Sequence, residues 1–180
     1  MTAIARESSG LLLIDLQARL MPAIAEAETV IANARRLLKA ARLLALPAML
    51  TEQNPKGLGP TVPELLAEAG NESSILSKQH FDACRAPGFF EMLPGRAQIV
   101  VAGCEAHVCV LQTALGLLEA GRQVDVVQDA VGSRRAESKA AALERLARHG
   151  AEIVTTEMVL FEWLETAEHP RFREIVALIK

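Results

Sequence analysis

The densest run of reactive residue types is Val101-Ala102-Gly103-Cys104-Glu105-Ala106-His107-Val108-Cys109-Val110. A strand-like apolar run stops at Gly103 and a helical pattern begins a few residues later, so Cys109 is expected in a helix's first turn. Unpaired backbone N–H groups and a partial positive charge at such a turn favour a thiolate over a thiol, which makes a cysteine nucleophilic. The same N–H groups can hold the oxyanion that forms when sulfur adds to a carbonyl carbon. Cysteine is also among the most buried residue types, so spacing alone leaves Cys104 and Cys109 open to a packing role.

Two further ionisable residues close apolar runs. Ile14-Asp15-Leu16-Gln17 puts an acid where the first run leaves a sheet, and a carboxyl desolvated beneath loops can serve as a general base. The competing reading is that Asp15 caps the next turn. Ser77-Lys78-Gln79-His80 ends the third run with a lysine, ordinarily a solvated surface charge. Its interest is topological: a parallel sheet would bring the ends of the first, third and fourth runs to one edge, where a cation stabilises a carboxylate or thiolate. His80, His107, His149 and His169 show no ligand spacing, and the cysteines form no C-x-x-C pair, so no metal is expected. His80 is a candidate to line the pocket, and His149 and His169 read as surface or capping residues. Neither glycine-rich nucleotide fingerprint follows a strand, so no nucleotide or flavin cofactor is expected.

The elements that would position these residues are legible from period. Leu11–Ile14, Ala48–Leu50, Ser74–Leu76, Ile99–Ala102, Val124–Val127 and Glu152–Val154 lack the polar alternation of a strand wetted on one face, and read as strands covered on both sides. Helical segments separate them. Ile24 to Leu46 carries the stripe Ile31, Ala34, Leu38 and Ala41, with Pro47 as its stop. Val108, Leu111, Leu115 and Leu118 make a second stripe closed by Gly121, and Glu137 to His149 a third, with Leu143, Leu146 and Ala147 facing inward. Asn54 to Pro63 and Arg85 to Gly95 are rich in Pro and Gly and read as loops. The alternation predicts an α/β fold: a three-layer α/β/α sandwich with a mostly parallel, doubly wound six-stranded sheet, residues 1–180 forming a single domain.

Charge and composition narrow the partners. With 19 basic and 22 acidic residues the net charge is -3, so the basic excess that displaces counterions from a phosphate backbone is missing. Aromatic residues are 3%, with no Tyr and one Trp, which leaves few platforms for stacking bases. Three cysteines in apolar or helical settings differ from a disulfide framework and suit a reducing cytosol. Met1 to Ser9 has no apolar core of a leader, and no segment reaches the roughly twenty apolar residues of a membrane span. A soluble, cytoplasmic protein with a small-molecule substrate, no nucleic-acid partner and no membrane partner is expected.

Taken together, Asp15, Lys78 and the Gly103-to-Cys109 turn resemble the isochorismatase-like cysteine hydrolase family over almost the whole chain. Leu111-Gln112-Thr113-Ala114-Leu115, Val127-Gln128-Asp129-Ala130 with Ser133-Arg134, Thr155-Thr156-Glu157 and His169-Pro170-Arg171-Phe172 are similar to its isochorismatase-domain-containing branch. The resemblance implies a triad of Asp15, Lys78 and Cys109, a non-proline cis peptide between Cys104 and Glu105, and an oxyanion hole from the backbone N–H groups of Glu105 and Cys109. It further implies a homo-oligomer, for which the apolar Met158-Val159-Leu160-Phe161 and Trp163 segment offers either core or interface. Nicotinamide-hydrolysing members carry an Asp-x-His metal motif where this chain has Thr51-Glu52-Gln53-Asn54, and isochorismatases proper cleave a vinyl ether without a thiol. What remains is hydrolysis of an amide, imide, carbamate or related carbonyl compound. Gln17, Gln53, Phe81, Glu105 and His107 are candidates to line the pocket, each with a structural alternative. A catalytically silent binding or scaffolding protein of the same fold is the alternative for the whole chain.

Overall fold

The structure is a computed structural model that describes residues 3–70, 73–93 and 95–180. The part of the N-terminal expectation that falls on Met1 and Thr2, and Pro94 of the predicted Arg85 to Gly95 loop, lie outside the described residues.

Strand β1 (Ser9–Ile14) explains why the apolar runs carry no polar alternation. Leu11 and Leu13 enter one hydrophobic core while Leu12 and Ile14 enter another, so both faces of the strand are covered. The same division holds in β2 (Ala48–Gln53), where Leu50 and Met49 part to the two sides, and in β4 (Gln98–Cys104). With β3 (Ser74–Lys78), β5 (Gln123–Gly132) and β6 (Glu152–Val154) they form a sheet in the order β3-β2-β1-β4-β5-β6, and every neighbouring pair is parallel. The order reverses between β1 and β4, which is the doubly wound arrangement.

Helices cover both faces, completing the three layers. Against one face lie α1 (Ala27–Leu43), α3 (Pro63–Ala69), α7 (Thr156–Leu164) and α8 (Phe172–Val176), whose Leu37, Leu38, Leu65, Val159 and Trp163 enter the first core. Against the other lie α4 (Phe89–Met92), α5 (Leu111–Glu119) and α6 (Ala136–Arg148), with Phe89, Leu117 and Leu146 in the second. Fully burying one such leucine contributes on the order of 2 kcal/mol.

Several expectations shift for physical reasons. Helix α1 is shorter at both ends than Ile24 to Leu46: Glu26 and Ala45 adopt left-handed backbone, and the Leu46 N–H returns to the Ala41 carbonyl to close the last turn. Strand β3 is covered on neither flank completely, because it is the sheet's edge and Ile75 is exposed. Strand β5 runs on through Gln128, Asp129 and Ala130 to Gly132, across an irregularity opposite Val101 to Gly103. The Asn54 to Pro63 stretch holds a one-turn helix, α2 (Pro55–Leu58), and Phe89–Met92 forms another inside the second predicted loop. In α6 the buried partner of Leu146 is Ala142, and Ala147 is exposed. In the α5 region, Val110, Ala114 and Leu117 take the deep positions and Val108, Leu115 and Leu118 are half-buried, since a π turn at Ala106–Val110 rotates the face. Of the Met158 to Trp163 segment, Val159, Leu160 and Trp163 are core while Met158 and Phe161 are exposed.

One glycine fixes the seam where the order reverses. Gly103 pairs with Ile14 and has φ +124, and a Cβ there would lie 2.0 Å from the Ile14 carbonyl oxygen.

Candidate active site

Register delivers the site. Ile14 pairs with Thr51 and Gly103, and Gln53 pairs with Lys78, so the residues at these strand exits gather along one carboxyl edge beside the reversal between β1 and β4. Asp15 leaves β1 with φ 52, its N–H held by the Thr51 carbonyl at 3.1 Å. Both carboxylate oxygens are occupied. Thr51 Oγ1 donates to Oδ1 at 2.7 Å and Lys78 Nζ donates to Oδ2 at 2.7 Å. Both side chains of this ion pair are fully buried. The Lys78 ammonium spends its remaining donors on Gln53 Oε1 at 2.8 Å and the His80 carbonyl at 3.3 Å.

Cys109 sits in the π turn, which follows a cis peptide between Cys104 and Glu105. Its side chain is buried, and burial pushes the thiol up to about 12, assisted by the negative Asp15 carboxylate and opposed by the Lys78 ammonium. The sequence expectation of a favoured thiolate is therefore corrected: desolvation outweighs the partial charge of the turn. Cys104 is core, its thiol also pushed up to about 12 by burial. The half-buried Cys84 lies beside Asp82, and burial followed by that carboxylate raises its thiol as well.

The predicted pocket residues divide. Gln17 is framework: its Nε2 donates to the carbonyls of Gln53 and Gly59, and its Oε1 accepts the Gln53 N–H. Gln53 is half framework, donating to the Gln79 carbonyl while its oxygen holds Lys78. Phe81, 52% exposed, lines a cleft of about 460 Å³ on the Lys78 side with His80, Asp82, Arg85, Gln112 and Glu119. His107 lines a second cleft, of about 480 Å³, with Arg134, Arg135 and Ser138, and its Nδ1 lies 2.9 Å from Ser133 Oγ. The Glu105 carboxylate accepts from the backbone N–H and Nε of Arg134 at 2.9 and 3.1 Å. His149 caps α6, its Nδ1 on the Arg145 carbonyl, and His169 Nδ1 accepts the Arg171 N–H.

Sequence reasoning names Thr51 and Glu52 only as a departure from a metal motif and leaves Thr61 inside a loop. The buried Glu52 carboxylate accepts the Thr61 N–H and hydroxyl at 2.7 and 2.8 Å, tying the Asn54 to Pro63 stretch down beside Asp15. The signal was a polar Thr-Glu pair closing an otherwise apolar run. Among the described residues no group of three or more His, Cys, Asp or Glu is placed to hold a metal ion, and no helix is long and apolar enough to cross a membrane.

Fold and site define an α/β protein of the doubly wound class, with its buried polar machinery at the switch point. Residues 9–158 match the family model described as the isochorismatase domain, and the chain belongs to that family. It is 43% identical over 177 residues to isochorismatase domain-containing protein 2A of Mus musculus, covering 97% of this chain and 84% of the relative. Among solved structures, one described as MAR1 ribonuclease from Caenorhabditis elegans superposes with a TM-score of 0.92 at 37% identity, covering 99% of this chain and 92% of that one. The YcaC gene product of Escherichia coli, described as an octameric hydrolase of unknown specificity, superposes with a TM-score of 0.88 at 28% identity, covering 99% of this chain and 88% of its own.

Proposed function

We propose that this protein is a cysteine-dependent hydrolase of a small amide, imide, carbamate or related carbonyl compound, a single domain whose catalytic residues are Asp15, Lys78 and Cys109. The observation that carries the reading is the fully buried Lys78–Asp15 pair, whose two charges both bear on the Cys109 thiol. A well-packed apolar pair would fill the same space at no desolvation cost, so structure alone gives little reason to keep the charges.

A thiol with a pKa of about 12 is ionised at neutral pH in roughly one molecule in 10⁵, so the nucleophile is made on demand. Asp15 takes the thiol proton as the sulfur–carbon bond forms, and the carbonyl π pair moves onto oxygen. The backbone N–H groups of Glu105 and Cys109 receive that oxyanion. Lys78 orients Asp15, and its longest contact, to the His80 carbonyl, is the one exchanged for sulfur. As the adduct collapses, the bond to the leaving group breaks and Asp15 returns the proton to it, leaving a thioester. Asp15 then deprotonates a water, which hydrolyses the thioester and restores the thiol. We place the enzyme in the cytoplasm as a homo-oligomer, in line with the octameric Escherichia coli neighbour.

A second reading, RNA hydrolysis, is favoured by the description of the Caenorhabditis elegans neighbour. The net charge of -3 and the 3% aromatic content supply neither counterion release nor stacking, and we rank it below the first.

Iodoacetamide separates the readings, because it carries an amide and an electrophilic carbon together. Cys84 is half-buried and Cys109 buried, so exposure alone predicts Cys84 as the first site alkylated. Peptide mass mapping is expected to find Cys109 labelled first, and Cys109→Ala to abolish turnover in an amide panel. Cys84 labelled first with Cys109 inert, and no turnover, would leave the silent binding protein; RNA cleavage unchanged by Cys109→Ala would also overturn the proposal.

A further inference from the structure

We propose that the cleft lined by His107, Arg134, Arg135 and Ser138 is an anion subsite, and that the substrate is a carboxylate-bearing amide or carbamate. The proposal rests on the hydrolase reading and names its substrate class. Two clefts are lined by sequence neighbours of the candidate nucleophile, Gln112 in one and His107 in the other, and their charges differ. The one beside Lys78 sets Asp82 and Glu119 against Arg85, which gives no preference for an anion. The other is lined by two arginines, a histidine and a hydroxyl, with no carboxylate among its lining residues, in a chain whose net charge is -3.

That cleft is joined to the reaction centre through two elements. His107 precedes Cys109 by two positions in the same π turn. Arg134 is fixed by two hydrogen bonds to the Glu105 carboxylate, one from its backbone N–H and one from Nε, and the N–H of that same Glu105 is the assigned oxyanion donor. Among the described residues the Nη groups of Arg134 have no acceptor, so its charge-bearing fork is oriented yet unspent. Glu105 is the acid that neutralises Arg134, and Glu137 touches Arg135 only at 4.0 Å. Arg135 and Ser138 stand at the start of α6, which has no capping side chain and adds partial positive charge. A volume of about 480 Å³ admits a small molecule whose carboxylate meets the arginines while its carbonyl lies toward Cys109.

The test compares succinamate, which carries an amide and a carboxylate, with the neutral butyramide. The wild-type kcat/KM ratio is expected to favour succinamate at least tenfold, and Arg134→Gln or Arg135→Gln to lower that ratio tenfold or more. Arg134→Lys keeps part of it, and Arg148→Gln, at the far end of α6, leaves it unchanged. Succinate, which has no amide, is expected to protect Cys109 from iodoacetamide better than inorganic phosphate does, and to lose that protection in Arg134→Gln. Equal turnover of the two amides, a ratio untouched by both glutamine variants, or protection by phosphate alone overturns the subsite while the hydrolase stands. If Cys109 is inert and no amide is turned over, the hydrolase reading has failed; calorimetry of succinate on wild type and Arg135→Gln then decides the subsite, supported by binding that the variant loses and overturned by binding that is absent or unchanged.

Discussion

Asp15 and Asp125 are both buried carboxyls of the sheet, and the molecule treats them differently. At the carboxyl edge, Asp15 has a donor for each oxygen, the Thr51 hydroxyl and the Lys78 ammonium. Nearer the amino edge, Asp125 lies in β5 with one oxygen lacking a partner among the described residues. Burial pushes Asp125 up to about 6; a hydrogen bond from Gln98 opposes this, and the charges of Glu162 and Glu152 add to it. The comparison separates a carboxyl given a dedicated cation and an adjacent thiol from one whose burial is met by a raised affinity for a proton.

The largest effect is expected where the cation is withdrawn. Lys78→Met leaves the Asp15 carboxylate buried against an apolar side chain, and urea unfolding at pH 7 should show a loss of about 3–5 kcal/mol together with lost amide turnover. Loss of turnover at unchanged stability would break the comparison. Asp125→Asn acts in the opposite sense. With a folded pKa of about 6 against an ordinary value of 3.8, the folded state holds its proton more tightly, so wild-type stability falls as pH rises from about 4 to above 6. The asparagine cannot ionise, so the variant should gain about 3 kcal/mol at pH 8, a gain that shrinks as pH falls through about 6 and closes below about pH 4, where the aspartic acid is neutral in both states. A gain independent of pH would mean that charge is not the cause. The smallest effect is expected from Thr51→Val, which removes one neutral donor from Asp15. A loss of about 1 kcal/mol and roughly tenfold in kcat is expected, with the alkaline limb of the pH–rate profile unmoved.

The fold was legible because its strands are covered on both faces and so stand out as unbroken apolar runs. Once their ends were located, Asp15, Lys78 and Cys109 were visible as reactive types at strand exits. What escaped depended on which way a polar side chain turns. Gln17 and Gln53 read equally as pocket or framework, and their hydrogen bonds to the Gly59 and Gln79 carbonyls arise from chain crossings that spacing does not encode. The thiol was misjudged because a helical turn's charge can be read from sequence, whereas the depth at which Cys109 lies cannot. Ile75 and Ala147 were placed inward by type alone, and it is edge position and helix phase that leave them exposed.

The contact of Gly103 with Ile14 ties what can stand at the centre of the sheet to the spacing between Asp15 and Cys109. Any side chain at that point must prise apart the two strands that lead to Asp15 and to the turn bearing Cys109, since the nearest obstruction is main chain and cannot swing aside. A side chain at this position would thus act twice: the halves of the sheet would lose their seam, and the Asp15 carboxylate and the Cys109 sulfur would lose their spacing.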